Sequence, residues 1–211
     1  MKQFLRNMLC LQLERKVEQL RVKHKFTVVA VAGSVGKTST KLAVARLLEA
    51  SGKSVRYQEG NYNDRVSVPL VFFGEAMPSL FNIFAWLGVL GRMSRQVKHG
   101  YDYDVVVVEL GTDGPGPMAE FAYIHPDITV LSAVSPEHML QFGTIDGVAS
   151  EELEVSNYSW QLLVNVADVD AKYLDGISYK SYGVGQPADY QAEVIGPHGA
   201  VGRQLRIKSA G

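Results

Sequence analysis

The chain has 211 residues, 46% hydrophobic and 20% charged, with a formal net charge of −1. It is long enough to bury a substantial core, and its charge balance gives no reason to expect nucleic acid as a partner. A single cysteine, Cys10, excludes a disulfide framework and a cysteine-rich zinc site, which fits a reducing, cytoplasmic setting.

Residues 2–22 carry Leu5, Leu9, Leu13, Val17 and Leu20 at helical spacing and are expected to form a helix. The first 25 residues hold seven basic side chains (Lys2, Arg6, Arg15, Lys16, Arg21, Lys23, Lys25) against Glu14 and Glu18. This stretch, 1–25, reads as a basic amphipathic helix ahead of a domain over 26–211. Its basic face fits packing on the domain, a partner, or peripheral contact with an anionic membrane, placing the protein at the inner membrane surface.

Phe26–Ala32 is a continuous apolar, β-branched run, as in a central parallel strand. A glycine loop follows, then a helix over Lys37–Ala50 closed by Ser51-Gly52. Ser54–Gln58 is a short strand ending in the polar loop Glu59–Asp64. A helix over Ser79–Lys98 is apolar nearly all round, which fits burial against a sheet or a membrane or partner contact. Its apolar run, Leu80–Leu90, is too short for a membrane span of about 20 residues and contains Asn82.

Tyr103–Leu110 and Ile128–Ala133 are further core strands, separated by a loop over 111–117 and a short helix at Met118–Tyr123. The loop Ser135–Gly143 leads to a helix over Ile145–Asn157, a strand at Gln161–Asn165 and a short helix at Val169–Leu174. Ile177–Tyr182, Tyr190–Ile195 and Val201–Ile207 look like strands, with a hairpin turn at Gly196–Gly199. The fold class is therefore α/β: a three-layer parallel sheet of the phosphate-loop type with flanking helices and a small antiparallel ending.

Gly33-Ser34-Val35-Gly36-Lys37-Thr38-Ser39 sits between a buried strand and a helix. Backbone N–H groups there face an anion at the helix N-terminus. Lys37 suits the β- and γ-phosphates of a nucleotide and the Thr38 hydroxyl suits Mg²⁺. Val31 stands where the first glycine of the full Walker pattern belongs. Glu109 ends its strand at the same sheet edge, as a metal ligand or a solvated strand-end acid. His138, in the loop after the next strand, is a ligand candidate or a polar surface residue.

Five stretches carry a resemblance: VAVAGSVGKTSTK with residues 31–41 at its core, GNYNDRVSVPL (60–70), VVVVELGTDGPGPMAEFA (105–122), HPDITVLSAVSPEHMLQFG (125–143) and LLVNVADVD (162–170). In this order they resemble the central ATPase domain of the Mur ligase family, which shares the G-x-x-G-K-T form. Within that family they are most similar to the branch that adds D-alanyl-D-alanine to a UDP-muramyl tripeptide. The resemblance implies ATP and Mg²⁺ as cofactors and an amide-forming reaction through an acyl phosphate, in which the protein positions and neutralises phosphate charge. It assigns Lys37 and Thr38 to phosphates and the first Mg²⁺, Glu109 to a metal, and His138 to a second Mg²⁺. Asn165 and Asp168 match an Asn-x-x-Asp near the nucleotide base, and Asn61 and Asn63 a loop facing the carboxylate substrate. Asparagine and glycine also favour a plain turn at that loop.

Three departures accompany the match. Glu152 aligns where the family commonly has a carbamylated lysine bridging to the second metal, and reads as a shorter carboxylate substitute or as a solvated acid beside Glu151 and Glu154. Leu140 stands near a usual acidic position. Only the helix 1–25 precedes the core, and the chain ends at Gly211, where relatives continue into a C-terminal domain that closes over ATP and brings the amine. The expectation is nucleotide binding with little ligase turnover from these residues by themselves. Ligation of another carboxylate, of folate or polymer type, and a regulatory nucleotide-binding role are the alternatives.

Overall fold

The computed structural model describes residues 2–60, 62–196 and 204–209. Its first half contains α1 (Lys2–Lys23), β1 (Thr27–Ala32), α2 (Lys37–Ala50), β2 (Val55–Arg56), α3 (Ser67–Phe73), α4 (Ile83–His99) and β3 (Val105–Glu109). The second half contains β4 (Ile128–Leu131), α5 (Met139–Phe142), α6 (Ile145–Glu152), β5 (Gln161–Asn165), β6 (Lys180–Val184), β7 (Tyr190–Val194) and β8 (Leu205–Ser209). Tight 3₁₀ turns cover Pro117–Ile124, Leu153–Asn157 and Ala171–Tyr173.

All eight strands form one sheet in the order β2-β3-β1-β4-β5-β6-β7-β8. β1 lies between β3 and β4, parallel to both, and is apolar on both faces as that place requires. Val28, Ala30 and Ala32 face a core built with α1, α3, α4 and α6. Val29 and Val31 face the opposite side and pack with Ala45 of α2, Val105, Val107 and Val130. The period-two alternation of a strand thus divides the protein into three layers.

Helix α1 buries Cys10, Leu13, Val17 and Leu20 in the larger core. Arg21 donates to Asp127 Oδ2 at 3.0 Å and to the carbonyl of Phe26 at 2.9 Å, tying the end of α1 to the amino edge of the sheet. Helix α3 has no counterpart in the sequence expectations, and it is buried along its whole length. Its signal is local: Asp64 Oδ1 accepts from the N–H groups of Val66 and Ser67, turning an apolar run into a helix start.

Several expected elements differ in extent or packing. The helix expected from Ser79 begins at Ile83, where Asn82 caps it by accepting from Ala85 N. It buries only the stripe Trp86, Val89, Met93 and Val97, leaving much of its apolar surface outside the core. The expected helix over Ile145–Asn157 tightens after Glu152 into a 3₁₀ turn.

The three strands at the end do not form an antiparallel unit of their own. β6 and β7 continue the parallel sheet, and β8 is antiparallel to β7. The reason lies at Asp189, whose Oδ2 accepts from both Ser181 N and Ser181 Oγ, returning the chain to the start of β6 before β7 begins. The expected turn at Gly196–Gly199 and the start of the last expected strand lie largely outside the described residues. No helix among the described residues is long and apolar enough to cross a membrane.

Burial of Leu13 makes α1 part of the folding unit. Leu13→Ala should cost about 2–5 kcal/mol in urea unfolding, whereas a change at exposed Gln12 should stay within about 0.5 kcal/mol.

Candidate functional site

β1 delivers Gly33 to the carboxyl edge of the sheet, hard against the end of β4. A Cβ on Gly33 would lie 2.5 Å from Ser132 Oγ and 2.8 Å from the backbone N and O of Ala133. Its φ of +117° also belongs to glycine, so this position admits no side chain. Ser34 is bound back onto the same strand end: its N–H and hydroxyl both donate to the Ala133 carbonyl, and its Oγ accepts from Ser135 N at 2.6 Å. Ser132 Oγ donates to the Val35 carbonyl at 2.7 Å. Gly36 takes φ +85° and caps α2. The Ser34 side chain therefore shapes the loop, while Val35 and Gly36 are exposed on its outer side.

Thr38, in the first turn of α2, meets Glu109 at the end of β3. Its hydroxyl lies 3.0 and 3.2 Å from the two carboxylate oxygens. One turn further along α2, Lys41 Nζ sits 3.1 Å from Glu109 Oε2, with both side chains 2% exposed. Lys41 Nζ also donates to the Gly60 carbonyl, joining the loop after β2 to this edge. Sequence reasoning missed Lys41; the signal was its i+4 spacing from Lys37, which puts both amines on one helix face.

Lys37 Nζ donates to the carbonyls of Gly33 at 2.5 Å and Ser34 at 3.4 Å and lies 3.9 Å from Glu137 Oε2. Glu152 is fully buried and its Oε2 accepts from Gly33 N at 2.7 Å, so it is not a solvated helix acid. Burial pushes its carboxyl up to about 7; Lys37 and the Gly33 N–H pull it down, and Glu137 pushes it further up. The Oε1 atoms of both Glu137 and Glu152 are buried without a hydrogen-bond partner. Glu137 was also missed, because nothing in its spacing distinguishes it from a loop acid. Glu151 faces the other way, accepting from Gly116 N and Met118 N and holding the turn after β3.

The remaining expected residues ring this edge at some remove. His138 adopts φ +45° and points Nε2 toward Asp113 Oδ1 at 3.6 Å, both side chains being solvent-accessible. Among the described residues, no three His, Cys, Asp or Glu side chains converge as a metal cluster. Asn165 Nδ2 donates to Asp168 Oδ2 at 2.7 Å and to the Ser132 carbonyl at 3.0 Å, closing the turn after β5 beside the glycine loop. The Asn63 carbonyl accepts from Gly111 N at 2.9 Å. Asn61 lies outside the described residues. A cavity of about 220 Å³ opens nearby, lined by Arg6 and Asn7 of α1 together with Asp64, Arg65, Thr112 and Asp113.

These residues fit a nucleotide phosphate with its cation. The first N–H groups of α2 have no carbonyl partner within the helix, and Lys37 stands beside them. The Thr38 hydroxyl and the Glu109 carboxylate supply two adjacent oxygens, and Mg²⁺ usually takes only one or two protein oxygens beside waters and phosphates.

Sequence and fold both have counterparts among known proteins. A family model described as the Mur ligase middle domain matches residues 31–199. The UDP-N-acetylmuramoyl-tripeptide–D-alanyl-D-alanine ligase of Bacillus subtilis is 26% identical over 172 residues, covering 80% of this chain and 32% of that ligase. The UDP-N-acetylmuramate–L-alanine ligase of Myxococcus xanthus is 27% identical over 188 residues, covering 86% of this chain and 32% of that enzyme. The chain therefore spans about a third of the length of these curated relatives. Among solved structures, MurF ligase from Thermotoga maritima in complex with ADP superposes with a TM-score of 0.65 at 22% identity, over 87% of this chain and 38% of that one. An FPGS–AMPPCP complex gives 0.61 at 20% identity, over 95% and 55%. At such identities these two structures bear on the fold.

Glu152 links the loop to pH. Its folded-state carboxyl titrates at about 7 against an ordinary 4.5, so between those values the folded chain holds more protons than the unfolded one. Its contribution is therefore most favourable below about pH 4.5 and declines as pH rises through 7, by about 3 kcal/mol. Glu152→Gln should flatten that slope in urea unfolding measured at intervals across this range. A slope unchanged by the substitution would assign the titration to other groups.

Proposed function

The chain belongs to the Mur ligase family, and on that premise we propose that it supplies the ATP- and Mg²⁺-binding part of a ligase that joins a carboxylate to an amine. The substrate pair favoured by the relatives is a UDP-muramyl tripeptide and D-alanyl-D-alanine. The reading rests chiefly on the meeting of Thr38 with Glu109 beside Lys37, at the edge where the glycine loop opens α2.

In this reading the backbone of Gly33–Ser39 cradles the phosphates, and the Lys37 amine leaves the Gly33 and Ser34 carbonyls to neutralise them. Thr38 and Glu109 hold the cation, and the Lys41 amine, 3.1 Å from Glu109 Oε2, aims that carboxylate. The nucleotide, when bound, supplies the phosphoryl group that activates the substrate carboxylate as an acyl phosphate. Glu152 is a positioning residue that acts through the Gly33 amide, and His138, held toward Asp113, approaches the same edge from the β4 side as a second cation ligand. Asn165 and Asp168 border the base, while Asn61 and Asn63 face the carboxylate substrate, whose peptide occupies the cavity between α1 and the turn after β3.

A second reading, nucleotide binding without ligation, draws on Glu152 itself. The carboxylate is fastened to Gly33 instead of reaching out on a long arm as a carbamylated lysine would. Substrate dependence separates the two readings. With the complete polypeptide, phosphate release from ATP should rise only when both the UDP-muramyl tripeptide and D-alanyl-D-alanine are present. ATP binding with no stimulated release supports the second reading. Lys37→Ala should weaken ATP binding by about 10- to 100-fold in calorimetry, the effect of losing one charge-assisted contact. Unchanged affinity in that variant would remove the phosphate-loop assignment.

A further inference from the structure

Two helices leave apolar surface in solvent at the same end of the molecule. On α1 these residues are Phe4, Leu5, Met8 and Leu11; on α4 and its approach they include Leu80, Ile83, Phe84 and Leu87. Phe4 is 67% exposed, Phe84 87% and Leu87 61%. A folded monomer seldom shows so many large apolar side chains together without a use for them.

The packing explains why they coincide. Lys16, Gln19 and Lys23 of α1 share one cavity wall with Ser94, Val97 and Lys98 of α4, and His24 Nε2 is 3.0 Å from the Val97 carbonyl. The C-terminal turns of the two helices are therefore side by side, and the helices run in the same direction. Both rise about 1.5 Å per residue, so, counted back about four turns from the His24–Val97 contact, Met8 of α1 stands close to the level of Ile83 of α4. A second set of contacts agrees. Gln3, Arg6 and Asn7 line a cavity with Gly111 and Thr112, and the Tyr62 hydroxyl accepts from Met77 N just ahead of α4. Both helix starts thus lie toward the carboxyl edge of the sheet, near the candidate site.

Most of the charge on the same two helices lies away from the apolar ends, Arg6 being the exposed cation among the apolar turns of α1. Behind the apolar turns come exposed Arg15, Lys23, Arg95 and Lys98, with Lys16 half-buried among them. Arg92 is paired with Glu75 at 2.6 Å, which leaves Arg95 and Lys98 as the exposed cations of α4, and α1 sets Glu18 as its exposed acid against Arg15 and Lys23. Aromatic and aliphatic tips followed by cationic turns match an anionic lipid surface, where the tips enter the acyl boundary and the cations meet headgroup phosphates.

We propose that the exposed apolar ends of α1 and α4 insert into an anionic membrane surface, with the cationic turns behind them against its headgroups. The carboxyl edge of the sheet then faces the bilayer. This contact is independent of the ligase reading, since it uses none of the residues around the glycine loop.

Sedimentation of the full chain with phosphatidylglycerol–phosphatidylcholine vesicles, compared with phosphatidylcholine alone, tests it. Wild type should pellet with the anionic vesicles and detach as salt rises. Phe84→Gln with Leu87→Gln should lower the partition coefficient at least about tenfold, through lost apolar insertion. Arg15→Gln, Arg95→Gln and Lys98→Gln together should lower it about a hundredfold. Both sets change exposed positions, so circular dichroism and ATP affinity should match wild type, and Lys37→Ala should bind vesicles normally. Absence of pelleting, equal binding to neutral and anionic vesicles, or variants that bind like wild type would overturn the proposal. So would a dimer dissolved by the Phe84 and Leu87 changes, which would make a second copy the occupant.

Discussion

The close passage of Gly33 over the end of β4 is the constraint from which the rest of the site follows. No side chain fits between that backbone and Ser132–Ala133, and the Gly33 N–H is held from the other side by the buried Glu152 carboxylate. Fixed from both sides, the loop has one exit, and α2 leaves along it with Lys37, Thr38 and Lys41 facing the sheet edge. Moving the loop by even an ångström would separate Thr38 from Glu109, because their contact depends on where α2 begins. Helix α6 is placed by the same bond, since Glu152 reaches Gly33 while its neighbour Glu151 clamps the turn after β3.

Two buried charge clusters at this edge are satisfied to different degrees. Lys41 and Glu109 neutralise each other, with further bonds to the Gly60 carbonyl and from the Thr38 hydroxyl, and the Glu109 carboxylate keeps lone pairs for a cation. Such a closed pair stiffens its surroundings. The cluster of Lys37, Glu137 and Glu152 is open by comparison, with one oxygen on each carboxylate lacking a partner and an amine resting on backbone carbonyls. Buried polar atoms without partners are uncommon and concentrate where a ligand, ion or water enters. The closed pair holds the frame, and the open cluster has unused capacity to respond to what arrives.

The helices show the same division between frame and free surface. α1 and α4 each give one stripe to the core, Leu13, Val17 and Leu20 on one and Trp86, Val89, Met93 and Val97 on the other. Their periodicity was legible, and the helical expectation for both was sound. How far the apolar surface would be covered was not legible. That depends on which neighbours arrive, and the sheet covers only the side that faces it. The end of the sheet has a similar history: three strands were visible from composition, but their directions were set by Asp189 binding Ser181, a contact no local pattern announces.

The sequence by itself determined the layered α/β class, the central strands, the glycine loop with its lysine and threonine, and Glu109 at the next strand's end. Each of these is local, because runs of β-branched residues, glycines and strand ends carry their signal within a few positions. Only the tertiary structure decided that Glu152 is buried and bonded to Gly33, that Lys41 pairs with Glu109, and that Glu137 shares the pocket with Lys37. Those contacts join residues as far as 119 positions apart. A carboxylate in a sequence looks the same whether it ends in water or against a buried amide; its burial and its partners are properties of the packed chain.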